Sequence, residues 1–179
     1  AAQLYATRST RSCGIGDLAD LRRLGTWSAG LGAGFTLVNP LHAATPQRPV
    51  QASPYYPGSR CFVDPIYLAV EEIDGASRAP VETLAAAGRE LNSTRRIDRD
   101  RVWDLKSEAL EAVFAGFGGS ADFDRYRRSR GPALERFAAF CALAERHGTG
   151  WRGWPEDFRH PDRPGVGRFA TSAEGSARV

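Results

Sequence analysis

Read for its alternation of apolar and polar positions, the chain opens with Gln3-Leu4-Tyr5-Ala6-Thr7, a short apolar and β-compatible segment, followed by a polar loop over residues 8–13. Gly14-Ile15-Gly16-Asp17 then opens a helix, with Asp17 as N-cap and Leu18, Leu21 and Leu24 at helical spacing. Gly30 and Gly32 end it. Phe35-Thr36-Leu37-Val38-Asn39 is a continuous apolar run stopped by Pro40, the pattern of a strand buried on both faces of a parallel sheet. Strand, helix and strand in under 40 residues predict a βαβ unit.

From Leu41 to Pro65 the character changes. Five prolines interrupt this stretch, no helical period survives, and Tyr55, Tyr56 and Phe62 supply aromatic rings. A long loop beyond the C-terminal end of a strand is where α/β folds place their binding sites. Residues 66–70 read as a short strand. The remainder reads as helical. Pro80 suits a first helical position, with Val81, Leu84, Ala85 and Gly88 on one face. Ser107 is expected to cap a second helix carrying Leu110, Val113, Phe114 and Phe117. Pro132 opens a third, with Leu134, Phe137, Ala138, Cys141 and Ala144 inward and Gly148 as its stop. Ser172-Ala173-Glu174 reads as the start of a further helix. No internal repeat is visible.

Composition narrows the class. The 179 residues are 42% hydrophobic and 25% charged, values of an ordinary globular chain, and no stretch approaches the ~20 apolar residues of a membrane span. The first eleven residues lack the apolar centre of a signal peptide. The length allows one domain with a real core but falls short of the ~250 residues of a closed (β/α)8 barrel. Methionine is absent even at position 1, so the chain is expected to start inside a longer reading frame or to have lost its start. The net charge is +3, and the basic stretches at residues 95–101 and 125–128 are interleaved with or preceded by aspartates. They read as solvated surface, so nucleic acid is not expected as a partner. Cys13, Cys61 and Cys141 are odd in number without a CxxC pair, and His42, His147 and His160 are scattered. A disulfide framework or zinc site is therefore not expected, and reduced thiols suit a cytoplasmic protein.

Two candidate sites emerge. Gly14-x-Gly16-x-x-Ala19 fits a loose dinucleotide fingerprint, but the glycines do not follow a strand directly, Asp17 sits where a pyrophosphate needs the helix end free, and the next strand ends in Asn39 and not in an acid. The loop Gln51-Ala52-Ser53-Pro54-Tyr55-Tyr56-Pro57-Gly58-Ser59-Arg60 is more informative. Its prolines stiffen it, and a tyrosine held there can lay its face on the C–H face of a sugar while its hydroxyl bonds a sugar hydroxyl. Equally, Tyr55 and Tyr56 could plug the loop onto the fold. No pair of carboxylates is marked by spacing as catalytic.

Several segments occur in an order that resembles a known family: Gln3-Leu4-Tyr5, Cys13-Gly14-Ile15-Gly16-Asp17-Leu18, Asn39-Pro40-Leu41-His42-Ala43, Ser53-Pro54-Tyr55, and Ser59-Arg60 with Asp64-Pro65-Ile66-Tyr67. Phe140-x-x-Leu143 and Trp151-x-x-Trp154-Pro155 follow. The ordered set resembles the 4-alpha-glucanotransferases (amylomaltase, disproportionating enzyme), in their actinobacterial-type branch. The resemblance implies an α/β chain that is part of a (β/α)8 TIM barrel, with its first βαβ unit and substrate loop in residues 1–70, a mostly helical insertion over 71–160, and a returning linker over 161–179. It implies transfer of α-1,4-glucan segments to a 4-hydroxyl of another glucan or glucose with retained configuration, and neither organic cofactor nor metal. Tyr55 would stack on sugar, Ser53 and Pro54 would shape its loop, and Asn39 and His42 would line the same mouth. The family's nucleophilic aspartate, acid/base glutamate and third aspartate have no counterpart here, so catalytic residues are not expected in this chain and the piece alone is expected to be inactive. Cys13 stands where relatives commonly carry Trp, and Asp64 where Asn is common. A non-catalytic α-glucan-binding module using Tyr55 and the Trp151/Trp154 pair remains the alternative, and oligomeric state is open.

Overall fold

A computed structural model describes residues 1–74, 78–172 and 175. Six α-helices, α1 (Leu18–Gly30), α2 (Arg78–Glu90), α3 (Arg99–Ala115), α4 (Ala121–Arg130), α5 (Pro132–His147) and α6 (Pro164–Thr171), dominate the described chain. The sheet among the described residues is two-stranded and antiparallel, β1 (His42–Ala43) with β2 (Ser59–Val63). The contacts divide the chain into two compact units. The first takes in residues 1–44 and 49–117, and the second residues 45–48 and the chain from Gly118 onward. The division falls after α3, so α2 and α3 belong with the N-terminal segment.

The βαβ unit expected from the sequence does not form as a strand ladder. Leu4–Ala6 is a 3₁₀ turn, and the expected strand at 35–39 contributes a single parallel bridge, Val38 to Ala2. Phe35 is 85% exposed and Leu37 62% exposed, so the face they share is open, while Thr36 and Val38 on the other are only half-buried. An apolar run becomes a central strand only when neighbours satisfy its backbone and cover its side chains. Residues 66–70 also differ from expectation. Pro65–Tyr67 and Val70–Glu72 are 3₁₀ turns, the first capped by Asp64, whose carboxylate accepts from Ile66 N–H at 3.0 Å.

Helix α1 forms as its sequence dictates. Asp17 accepts from Ala19 and Asp20 N–H, and Asp20 accepts from Asp17 N–H, a reciprocal capping box. Helix α2 buries Val81, Ala85 and Gly88 as expected. Helix α3 starts eight residues before the expected cap at Ser107. Asp98 caps it, and Ser107 lies mid-helix with its hydroxyl donating back to Asp104 C=O. The charged run at 98–101 hides this start, because its first turn carries no apolar stripe. Helix α4, also unexpected, is mostly polar and buries none of its residues, which weakens the periodic signal. Gly131, at φ +53°, turns the chain between α4 and α5. In α5 the buried residues are Ala139, Ala142, Leu143 and Ala144, so the inward face is rotated from the expected one, of which Ala144 alone is fully buried. The helix expected to begin at Ser172-Ala173-Glu174 lies largely outside the described residues.

In the first unit Leu4, Ile15, Ile66, Tyr67 and Val102 pack together, and Val70, Val81, Ala109 and Val113 join α2 to α3. In the second, Leu143, Trp154, Val166 and Phe169 centre the core.

Candidate functional site

The site is built on the β1–β2 hairpin and the loop it carries. Gly58 N–H donates to Ala43 C=O and Asp64 N–H to Leu41 C=O, both at 2.9 Å. Asp64 ties the hairpin base: its second oxygen accepts from Ala44 N–H at 3.1 Å while the first caps the turn that follows. Within the loop, Ser53 N–H donates to Gln51 Oε1 and Tyr55 N–H to Ser53 Oγ, so Ser53 shapes the turn that presents the tyrosines.

A cleft lies between this loop and the hairpin base. His42, Ser53, Pro54, Tyr56, Asp64, Tyr67 and Arg99 are among its walls. Its enclosed cavity is about 20 Å³, the room of a single water, so anything as large as a sugar ring must lie across the mouth. Of the residues singled out from the sequence, His42, Ser53 and Pro54 are brought together in the walls. Tyr55 stands beside them on the outer side of the loop, 59% exposed, with its ring free of the core clusters. Asn39 lies below the cleft and does not face it. It is buried, with Oδ1 accepting from Leu4 N–H at 2.6 Å and Nδ2 donating to Pro40 C=O at 2.8 Å and to Tyr67 Oη at 3.3 Å. Asn39 therefore joins the N-terminal turn to the floor of the site.

Burial raises the Asp64 carboxyl above its ordinary value, partly offset by the two backbone N–H donors. The Tyr67 phenol is pushed up by the same cause. The single lysine of the chain, Lys106, lines a separate cavity together with Cys13 and Asp17. It is 1% exposed, and its Nζ donates to Ile66 C=O and Leu68 C=O, each at 2.7 Å. Burial lowers its pKa, while Asp17, Cys13, Asp20 and Asp64 favour its charged form. Sequence reading passed over Lys106, Arg99 and Tyr67. The available signal was a lone lysine set in the stripe Val102, Leu105, Ala109, Val113.

The glycines of the dinucleotide pattern have a packing cause. A Cβ on Gly16 would lie 2.0 Å from Leu4 C=O, and one on Gly14 would lie 2.8 Å from Leu91 Cβ. The N-terminus of α1, where an anion would sit, is filled by Asp17 itself. Among the described residues no group of three or more His, Cys, Asp or Glu could hold a metal ion, and no helix is long and apolar enough to cross a membrane.

In the second unit a separate apolar hollow of about 280 Å³ is lined by Phe140, Trp151, Trp154 and Phe158. Trp154 is a core residue, stacked on Phe140 at 5.7 Å and donating from Nε1 to Gly148 C=O. Trp151 is exposed, with the Arg152 guanidinium 4.5 Å from its ring centre. The two tryptophans thus do not form a paired stacking platform.

Comparison with known proteins agrees with the ordered motifs. Two 4-alpha-glucanotransferases, of Mycobacterium tuberculosis and Mycobacterium bovis, are each 44% identical over 184 residues, covering 94% of this chain and 25% of theirs. That of Haemophilus influenzae is 31% identical over 183 residues, covering 88% of this chain and 26% of its own. The crystal structure of amylomaltase from Corynebacterium glutamicum superposes with a TM-score of 0.75 at 34% identity, covering 98% of this chain and 25% of that one. The chain therefore spans about a quarter of the length of these relatives. A family profile described as 4-alpha-glucanotransferase matches residues 2–179, and with it the chain belongs to the 4-alpha-glucanotransferase family.

Proposed function

We propose that this chain forms part of the substrate-binding face of a 4-alpha-glucanotransferase acting on α-1,4-glucans. The observation that carries the reading is the hairpin-borne Ser53-Pro54-Tyr55 loop: a turn that holds an exposed tyrosine beside a polar cleft, in a chain 44% identical to 4-alpha-glucanotransferases. An aromatic face stacks on the axial C–H bonds of glucose, and the cleft walls supply donors and acceptors to its hydroxyls. His42, Ser53 and Pro54 support Tyr55 in this role, whereas Asn39 contributes through the floor.

In the retaining mechanism of such enzymes a carboxylate displaces the glucosidic oxygen to form a glycosyl-enzyme, and an acid group protonates the leaving oxygen. The 4-hydroxyl of an acceptor glucan then displaces the carboxylate, giving its proton back to that group. We assign both carboxyl groups to the remainder of a (β/α)8 barrel of which residues 1–70 supply the opening unit, so this chain contributes binding and not bond cleavage. A cytoplasmic location accompanies this reading, supported by Cys13, Cys61 and Cys141 standing outside any disulfide.

The test is disproportionation of maltotriose by the full-length protein. Loss of one stacked ring removes about 1 kcal/mol, so Y55A should raise KM roughly five- to tenfold. An unchanged KM overturns the role of Tyr55, and turnover by the 179-residue chain alone overturns the placement of the carboxyl groups.

A further inference from the structure

We propose that helix α3 is the seat of the substrate loop, and that Asp100 and Lys106 are positioning residues that hold its two ends. The proposal rests on the glucan-binding reading of that loop and adds what sets its geometry.

Asp100 lies in the first turn of α3, and its Oδ1 accepts from Val50 N–H at 2.7 Å, just before the loop turns at Ser53. Lys106 lies six residues further along the helix, about 9 Å on. Its Nζ donates to Ile66 and Leu68 C=O at 2.7 Å each, just after the loop has returned through β2 and Asp64. One rigid helix thus grips the chain on either side of the tyrosines. Next to the first grip, Arg99 of the same helix stands in the cleft wall.

The chemistry of the grips is matched to the task. Val50 offers an N–H, which a carboxylate accepts, and Ile66 and Leu68 offer carbonyls, which an ammonium satisfies two at a time. Burying an ammonium is costly, and a side chain of the same shape without charge would fill the space more cheaply. The cation is satisfied by the two carbonyl oxygens it bonds, with the Asp17, Asp20 and Asp64 carboxylates nearby. Asp64 then carries the constraint into the hairpin, because its carboxylate links Ile66 N–H to Ala44 N–H. Neither Asp100 nor Lys106 is placed to touch a sugar at the mouth. They act through the backbone, so their loss should loosen the loop and weaken binding while leaving the bond-breaking step intact.

The experiment uses the full-length protein with D100A, K106M and K106R, and measures maltotriose disproportionation together with hydrogen exchange at the Gly58 and Asp64 amides. D100A and K106M should each raise KM about three- to tenfold with kcat within twofold. Exchange at the two hairpin amides should rise at least tenfold, with the Thr7 amide unchanged. K106R, which keeps a cation and donors for both carbonyls, should bring KM closer to wild type than K106M does. A general loss of stability would instead accelerate all three amides and leave KM alone, and that result overturns the proposal. Should K106M fail to fold, D100A alone decides, since an unchanged KM there removes α3 as the seat of the loop. Y55A separates the two claims: if it leaves KM unchanged, the glucan reading fails, while the hairpin amides still report whether α3 holds the loop.

Discussion

Gly16 provides a sharp test of the packing account, because a single methyl group there meets backbone and nothing that can swing aside. In G16A the new Cβ would lie 2.0 Å from Leu4 C=O and 2.5 Å from Thr7 C=O, against an ordinary carbon–oxygen contact of about 3.3 Å. The turn must retreat by more than an ångström. Its retreat is opposed by the bond from Thr7 N–H to Leu4 C=O at 2.9 Å and that from Leu4 N–H to Asn39 at 2.6 Å. Overpacking of this kind costs about 1–3 kcal/mol, and a weakened buried hydrogen bond adds about 1 kcal/mol. The stiffer unfolded chain returns about 0.4–1 kcal/mol. The net expectation is a loss of about 2 kcal/mol, or roughly 4–8 °C in Tm for a chain of this size. Gly25 is the control: it lies inside α1, and apart from its chain neighbours and its own helix backbone nothing comes within 4 Å of its would-be Cβ. G25A should gain about 0.5–1 kcal/mol from helix propensity. Urea unfolding followed by circular dichroism measures both, and hydrogen exchange at the Thr7 and Gly16 amides assigns the change to the first unit. Equal or greater stability of G16A would refute the close approach of Gly16 to the N-terminal turn. It would also reopen the reading of these glycines as a ligand cradle.

Further expectations follow from the buried polar groups. N39A strands the Leu4 N–H without an acceptor and opens a small cavity, so it should cost about 2–4 kcal/mol in urea unfolding; a loss below about 0.5 kcal/mol would mean Asn39 does not hold the floor. D17A removes the cap of α1 and should cost about 1–2 kcal/mol, with the Ala19 and Asp20 amides losing protection first; protection kept at both would contradict the capping box. Lys106 has a pKa lowered by burial, so above that lowered value the native state sheds a proton that the unfolded state keeps up to about 10.5. Relative to K106M, wild-type stability should therefore rise with pH through that window, as read from thermal unfolding at stepped pH; a flat difference would place the ammonium in a solvated setting, and a falling one would mean the native state holds the proton more tightly than the unfolded chain.

Local chemistry was legible along the chain wherever a residue acts on its own neighbours. The Asp17 cap, the apolar face of α2, the proline start of α5 and the stiff tyrosine loop all follow from side chains within a few positions of one another. So did the family, because the order of short motifs survives without knowledge of their contacts. Features that depend on distant partners were not legible. The apolar run at 35–39 carries the composition of a buried strand, yet burial is a property of neighbours, and Phe35 and Leu37 have none that cover them. Helix α3 began in a charged run whose polarity masks its period. Asn39 read as a residue at the mouth, but a free Leu4 N–H lay nearer than solvent and drew its amide inward. Lys106 is the clearest case: one lysine in a sequence is a surface charge by default, and only the folded chain could bring two unpaired carbonyls from 38 and 40 residues away to make its burial stable.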